Sequence, residues 1–338
     1  MRKHAVTIKK SKSVIYNSDA MECYGEWPEP TVIMVDGPYG IGGFPGDPRA
    51  TDALPSWYAP HIAEWSRRAL PSTTLWFWGT ELGWSKVNPL LETNGWNYEQ
   101  AFIWNKGISH VAGNVNSLTI RSAPVVTEIC VRYSRKATLK NRDGEPVPLK
   151  EWLRDEWERT GIPFSRTNEA CGVKNAATRK YFTKDGLWYF PPADAMMKLA
   201  GYANENGNRE NAPYFNIRGK ELTPELWNAM RPKWHHEHGT TNVWNVPPLH
   251  SRERLRNPAT GKALHNNQKP AEIIDYIVRA SSDPGDTVWD PFCGLATTAA
   301  CCLNSGRDCY SAEIDENTFN AACKRVDDGM KENKTECA

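Results

Sequence analysis

The sequence predicts an α/β protein: a mainly parallel, twisted sheet flanked by helices, with an inserted region that is mainly helical and irregular. Three observations carry this reading. Strand and helix patterns alternate from residue 32 to 134 and again from 265 onward. Residues 148–240 between them are polar, aromatic-rich and irregular, with stretches such as "NENGNREN". The 338 residues leave room for one large or two modest domains. The expected division is 1–145 as the first part of a main domain, 146–240 as the insertion, and 241–338 as the second part.

The first part opens its regular pattern at Val32–Val35. This four-residue apolar run reads as a buried strand and ends at Asp36-Gly37-Pro38-Tyr39-Gly40. Residues 57–69 place Ile62, Trp65 and Ala69 on one helical face, with Arg67 and Arg68 pointing away. The β-branched and aromatic run 73–79 is the next strand, 84–93 a helix, and 98–106 and 125–134 two further strands. In the insertion, a helix over 149–159 is followed by a turn at Gly161-Ile162-Pro163. A short helix around 165–170, Gly172 and a helix over 174–182 come next. Two short helices across a glycine-containing turn resemble a helix-turn-helix. The second carries Lys174, Asn175, Thr178, Arg179 and Lys180, side chains of the kind that contact DNA grooves and phosphates. An ordinary helical subdomain with a solvated face accounts for them equally well. In the last part a helix opens near Pro270 with Ile273, Ile274, Ile277 and Val278 inward. A strand at Thr287–Trp289, a helix over 297–305, a strand and a final helix complete the chain. No internal repeat is present.

Composition narrows the class. Hydrophobic residues make up 40% and charged residues 24%, as in globular proteins. No apolar run reaches membrane-spanning length, and no apolar segment follows the basic start, so no membrane partner and a cytoplasmic location are expected. The nine cysteines contain no C-x-x-C pair and read as reduced, mostly buried thiols. His235, His236 and His238 lack a second ligand pair at zinc-site spacing, so a polar loop is the preferred reading and no metal is expected. The net charge is +1, but 133–142 and 250–262 are locally basic and are candidate phosphate contacts, with Arg252 and Arg254 in the second run.

Two turns carry chemistry. In "DTVWDPFCGLATT" a strand ends in Asp290-Pro291-Phe292, and the small residues Gly294 and Ala296 sit where a helix opens. A ligand can then lie against backbone amides at that helix N-terminus. The next strand ends in Glu313, placed to accept from ribose hydroxyls. A strand–turn–helix–strand unit of this kind suits a nucleoside-bearing cofactor, while the lack of G-x-G-x-x-G argues against a nicotinamide dinucleotide. The other turn is "DGPYG", which taken alone is an ordinary β-turn.

Together these segments resemble a known family. "DPFCGLATT" resembles the D-P-F-x-G-x-G-T-T of amino-group DNA methyltransferases, with Ala296 at the usual third-position glycine. "HNNQKPAEIIDYIVRASSDPGD" resembles the segment that precedes it in those enzymes, and "DGPYG" their D-P-P-Y, with Gly37 replacing the first proline. The order, catalytic turn first, variable middle and cofactor segment last, is that of the β group, and the resemblance covers roughly 30–135 and 240–328. It implies a Rossmann-like methyltransferase fold, S-adenosyl-L-methionine as cofactor, and double-stranded DNA as partner, methylated after base flipping. The cofactor residues it implies are Asp36, His265, Gln268, Lys269, Pro270, Asp290, Phe292, Cys293, Gly294, Ala296, Thr297, Thr298, Glu313 and Ile314. In the catalytic turn, Asp36 and the carbonyl of Pro38 accept the N–H bonds of an exocyclic amino group, and Tyr39 stacks on the flipped base, a task for which its ring suffices. The aspartate in first position favours N6 of adenine over N4 of cytosine by family pattern. A cognate restriction endonuclease and a homodimer are partners the resemblance allows. Rival readings are an RNA methyltransferase and a DNA-binding regulator that has lost catalysis.

Overall fold

The structure, a computed structural model, describes residues 2–8, 10–42, 46–110, 118–184, 188–217, 219–249, 253–256, 260–264 and 267–335. The chain divides into two units, Met1–Arg135 with Pro232–Ala338, and Lys136–Arg231.

The first unit is built on a sheet. Its strands in chain order are β1 (Arg2–Ile8), β2 (Ser11–Asn17), β3 (Val32–Val35), β4 (Thr74–Gly79), β5 (Trp96–Asn105) and β6 (Thr127–Arg135), and, after the second unit, β9 (Val243–Trp244), β10 (Thr287–Asp290) and β11 (Asp308–Glu313). Among the described residues these nine lie in the order β1-β2-β11-β10-β3-β4-β6-β5-β9. The run β2-β11-β10-β3-β4 is parallel throughout. Beyond it β6 is antiparallel to both β4 and β5, and β1 is antiparallel to β2. The expected α/β sheet is therefore present with a parallel centre and mixed flanks. The sequence reading did not anticipate β1 and β2; they form an edge hairpin in which only Val6 of β1 is buried, so the apolar signal there is faint.

Strands β3 and β4 are buried at every position, and mostly apolar, because both faces are covered. Successive side chains point to opposite faces. Val32 and Met34 join one core with Trp76, Trp78 and Val288. Ile33 and Val35 join the other with Leu75, Phe77 and Trp289. On the first face lie residues of α8 (Ala271–Ser281), α9 (Thr297–Ser305) and α10 (Glu316–Thr335). On the second lie residues of α1 (Leu54–Arg68) and α2 (Glu81–Thr93). Each helix is placed by local chemistry. Pro55 stands in the first turn of α1, and the Thr80 hydroxyl accepts from the Gly83 amide at 3.0 Å to cap α2. The hydrophobic side of α8 consists of Ile273, Ile274, Ile277 and Val278, as its spacing predicts. No helix among the described residues is long and apolar enough to cross a membrane.

The second unit pairs two short antiparallel strands, β7 (Thr138–Lys140) and β8 (Pro146–Pro148), and then is helical. Its helices are α3 (Leu149–Arg159), α4 (Arg166–Ala170), α5 (Ala176–Tyr181), α6 (Ala193–Asn206) and α7 (Pro224–Asn228). A core of its own holds Trp152, Leu153, Trp157, Phe182, Met196, Leu199, Phe215 and Trp227. Helix α6 lies where the reading expected irregular chain. Its buried residues, Ala195, Met196, Leu199 and Ala203, do follow helical spacing, but Gly201 and the asparagines at its end obscure the pattern. Because this core is closed within 136–231, that fragment is expected to fold when expressed alone, giving a cooperative thermal transition by circular dichroism. In it Leu153→Ala is expected to cost about 3 kcal/mol, the usual loss for a buried leucine.

Candidate active site

The carboxyl ends of β11, β10 and β3, three neighbours in the parallel run, lie side by side. In open α/β sheets ligands bind outside this edge. Each strand here delivers a turn to one cavity of about 680 Å³: β3 gives Asp36–Tyr39, β10 gives Asp290–Gly294, and β11 gives Glu313–Asp315. Residues 267–269, just before α8, and Trp57 and His61 on α1 complete much of its wall.

At one end stands a charged cluster. The Lys269 ammonium, 3% exposed, donates to Asp36 Oδ1 at 2.8 Å and Oδ2 at 3.0 Å, and lies 3.3 Å from Glu128 Oε2. The Tyr39 hydroxyl donates to Asp36 Oδ1 at 3.0 Å and reaches Glu128 Oε2 at 3.2 Å. Lys106 pairs with the other oxygen of Glu128. The Trp78 and Tyr39 rings stand 5.1 and 5.4 Å from the Lys269 ammonium. Burial alone would lower the Lys269 pKa, but Asp36 and Glu128 more than reverse this and hold it above its ordinary value. Burial would likewise raise Glu128, and Lys269 and Lys106 outweigh it, holding the carboxylate down at about 2. Within the cluster Oδ1 of Asp36 takes two donors and Oδ2 one, so Oδ2 keeps an acceptor site toward the cavity.

The other end is aromatic and carboxylic. Trp57 and His61, four residues apart on α1, stack at 4.8 Å, and His61 meets the Phe292 ring at 5.2 Å. Burial lowers the His61 pKa to about 4, so the imidazole is neutral here. Its Nδ1 lies 2.9 Å from the Tyr24 hydroxyl. Glu313 receives the amides of Gly294 at 3.0 Å and Asp315 at 2.8 Å, which tie β11 to the β10 turn. Asp290 is 3% exposed, its Oδ1 has no partner among the described residues, and burial pushes its pKa up to about 7. Ala296 precedes α9 with φ of +57°, a left-handed conformation that favours glycine.

Of the residues singled out from sequence, Asp36, Pro38, Tyr39, Gln268, Lys269, Asp290, Phe292, Cys293, Gly294, Thr297, Thr298, Glu313 and Ile314 line this cavity. Pro270 and Ala296 stand behind the wall, the first at the start of α8 and the second fully buried before α9. The Gln268 amide is spent on the Leu255 amide (3.1 Å) and the Glu253 carbonyl (2.8 Å). The Pro38 carbonyl, expected to accept from a target, accepts the Tyr58 hydroxyl at 3.0 Å. Tyr39, expected to stack on a flipped base, is 7% exposed, and its hydroxyl is bonded to Asp36 and Glu128. His265 and Arg252 lie outside the described residues. In the second unit Lys174, Asn175, Arg179 and Lys180 are exposed at α5 and the turn before it. Thr178 instead faces inward, its hydroxyl 2.7 Å from that of Thr167, and Asn168 of α4 accepts the Ala177 amide at 3.0 Å. Arg254, in the first unit, is half-buried and donates to the Leu249 carbonyl at 3.4 Å.

Sequence reading missed Ser18, Asp19 and Ala20, which line the cavity from a short connection after β2, and it missed Glu128 and Lys106. The i, i+4 pair Trp57 and His61 was visible in the sequence as one helical face.

Known proteins resemble this chain in sequence and in fold. The family model described as DNA methylase, for N6/N4 methyltransferases, matches residues 31–324. DNA adenine methyltransferase YhdJ of Escherichia coli (strain K12) is 35% identical over 94 residues, 28% of this chain and 30% of that protein, so the match spans less than a third of that relative. Type II methyltransferase M.BglII of Bacillus subtilis is 22% identical over 318 residues, 93% of this chain and 69% of that one. Among solved structures, the PvuII DNA methyltransferase (cytosine-N4-specific) aligns with a TM-score of 0.51 at 12% identity, over 95% of this chain and 92% of that one, a likeness of fold.

The Glu128 carboxylate makes a pH-dependent contribution whose sign follows from its depressed pKa. Stability from its pairing is fully present above about 4.5 and is lost as pH falls toward about 2. Glu128→Gln is expected to cost about 3 kcal/mol at neutral pH, because two buried ammonium groups lose a partner. The variant is also expected to lose less stability than the wild type on acidification through that window, as read by urea unfolding at pH 7 and pH 3.

Proposed function

The chain belongs to the N6/N4 DNA methylase family, and from that premise we propose that it transfers a methyl group from S-adenosyl-L-methionine to the exocyclic N6 amino group of adenine in duplex DNA. The observation that carries the reading is that one cavity is lined both by Asp36 and by Asp290, Phe292, Gly294 and Glu313. An acceptor for an amino group and a nucleoside-type site thus share one space.

The residues present fit this cofactor. The partnerless oxygen of Asp290 suits an ammonium group, the Trp57–His61–Phe292 wall suits an adenine ring or an aliphatic arm, and Glu313 keeps acceptor capacity for ribose hydroxyls. Bound there, the cofactor would supply a methyl group on a sulfonium centre: the lone pair of the amino nitrogen would take it, the electrons of the broken carbon–sulfur bond would stay on sulfur, and the nitrogen would then lose one proton to solvent. An exocyclic amino group is a poor nucleophile because its lone pair is conjugated into the ring. Oδ2 of Asp36, with its remaining acceptor site, takes one N–H of the target. The Pro38 carbonyl takes one hydrogen bond from Tyr58, and its second lone pair or the neighbouring Gly37 carbonyl supplies the second acceptor in this turn. Two such acceptors favour a tetrahedral nitrogen with a free lone pair. Lys269 and Tyr39 hold Asp36 in place, so its geometry is set before a target arrives. The amino group reaches this depth only when the base has left the duplex. The adenine assignment rests on the aspartate in the turn and on the likeness to YhdJ, whose name specifies adenine. In the second unit, exposed Lys174, Arg179 and Lys180 supply a basic surface for phosphates.

The test is incubation with labelled cofactor and mixed-sequence duplex DNA, then nucleoside mass spectrometry. N6-methyladenine is expected; N4-methylcytosine would keep the mechanism and overturn the base, and product on RNA alone would overturn the DNA assignment. Asp36→Ala is expected to lower transfer about a hundredfold with cofactor affinity by calorimetry retained, since a charge-assisted hydrogen bond is worth about 3 kcal/mol and each ~1.4 kcal/mol is tenfold in rate. Replacing Arg179 and Lys180 together by alanine is expected to weaken DNA binding and flatten its dependence on salt, measured by titration at several ionic strengths.

A further inference from the structure

Gly37 sits in the proposed catalytic turn without needing to be glycine for its backbone, since its φ lies outside the left-handed region. Space is what requires it. A Cβ at this position would lie 2.6 Å from the Tyr58 hydroxyl oxygen and 2.7 Å from Cδ2 of Phe292. Two side chains from other elements therefore close on the Cα of Gly37, one from α1 and one from the β10 turn. Tyr58 is fully buried, its ring held edge-on to Phe77 at 5.1 Å and to Trp57 at 4.8 Å. Its hydroxyl keeps its proton, because burial raises its pKa well above 10, and it donates to the Pro38 carbonyl at 3.0 Å. A glycine inside a turn is loose by itself; here the following peptide is fixed from outside by a donor on a rigid helix.

We propose that Tyr58 is a positioning residue for methyl transfer, bracing the Pro38 peptide so that the Asp36-Gly37 end of the turn presents its acceptors at a fixed angle. The Phe292 ring sets the other side of the same glycine, so the wall of the cofactor cavity and the catalytic turn share one contact. The inference rests on the function proposed above, and its role in the reaction is distinct from that of Asp36, which touches the target.

The experiment uses the full chain and the variants Tyr58→Phe, Gly37→Ala and their combination. Tyr58→Phe is expected to slow single-turnover transfer at saturating cofactor and DNA about tenfold, the worth of one hydrogen bond, with both dissociation constants within about twofold of wild type. Gly37→Ala is expected to lower both transfer and cofactor affinity, because Phe292 must move. Thermal melting reads the contact without any catalysis. Gly37→Ala lowers the melting temperature, and in the Tyr58→Phe background its added effect is smaller because the nearest atom is gone. Wild-type transfer rates in Tyr58→Phe, a rate loss matched by lost cofactor affinity, or strictly additive melting shifts would each overturn the brace. Absence of transfer by the wild type, with non-additive melting retained, would overturn the function while leaving the contact in place.

Discussion

The buried ammonium of Lys269 is the point on which the site depends. It joins Asp36 at the end of β3 and Glu128 on β6 to the segment just before α8, bringing together residues 233 positions apart in the chain. An ammonium taken out of water without partners would be intolerable at this depth. Two carboxylates, a tyrosine hydroxyl and two aromatic faces make it stable there, and the same contacts fix the orientation of Asp36. Removing any member leaves a charge or a donor stranded, so the cluster behaves as one object rather than as a set of pairs.

This clustering has a chemical side. A carboxylate that is to accept from a weakly nucleophilic amino group must already point the right way, because reorienting it during the reaction would consume the advantage. Tyr39 and Lys269 occupy three of the acceptor positions on Asp36 and leave one facing the cavity. The remaining freedom of the turn lies at Gly37, where Tyr58 and Phe292 close in. Rigidity here comes from Tyr39 of the turn itself together with neighbours on α1, β6, the β10 turn and the lead-in to α8.

That distribution explains what was legible in the sequence. The turns at Asp36 and Asp290 could be read because each joins a short apolar strand to small or rigid residues, and such punctuation is local. The strands at 32–35, 73–79 and 287–289 could be read for the same reason: burial on both faces leaves short runs that are mainly apolar, β-branched or aromatic. Glu128 could not be read, because a glutamate in a strand has no pattern that distinguishes a solvent-facing charge from one buried between two lysines. Lys269 was placed in the right neighbourhood, but its direction, toward Asp36, depends on sheet order, which separates sequence-adjacent strands and joins distant ones. The antiparallel return of β6 and the edge hairpin β1-β2 were hidden likewise, since strand direction and pairing are not written in periodicity.

The order of the sheet also governs how the protein is made. Strands β10 and β11 lie between β2 and β3, yet they are synthesised after both. While a ribosome is still producing the residues between β3 and β10, β2 and β3 have no partner on their facing edges, and the cavity has no floor. The segment 136–231, with its own core, emerges meanwhile and has nothing to wait for. The central sheet closes only when residue 313 has left the exit tunnel, so binding competence arrives in one step rather than growing with chain length, and the open edges of β2 and β3 are what cellular chaperones would meet before then.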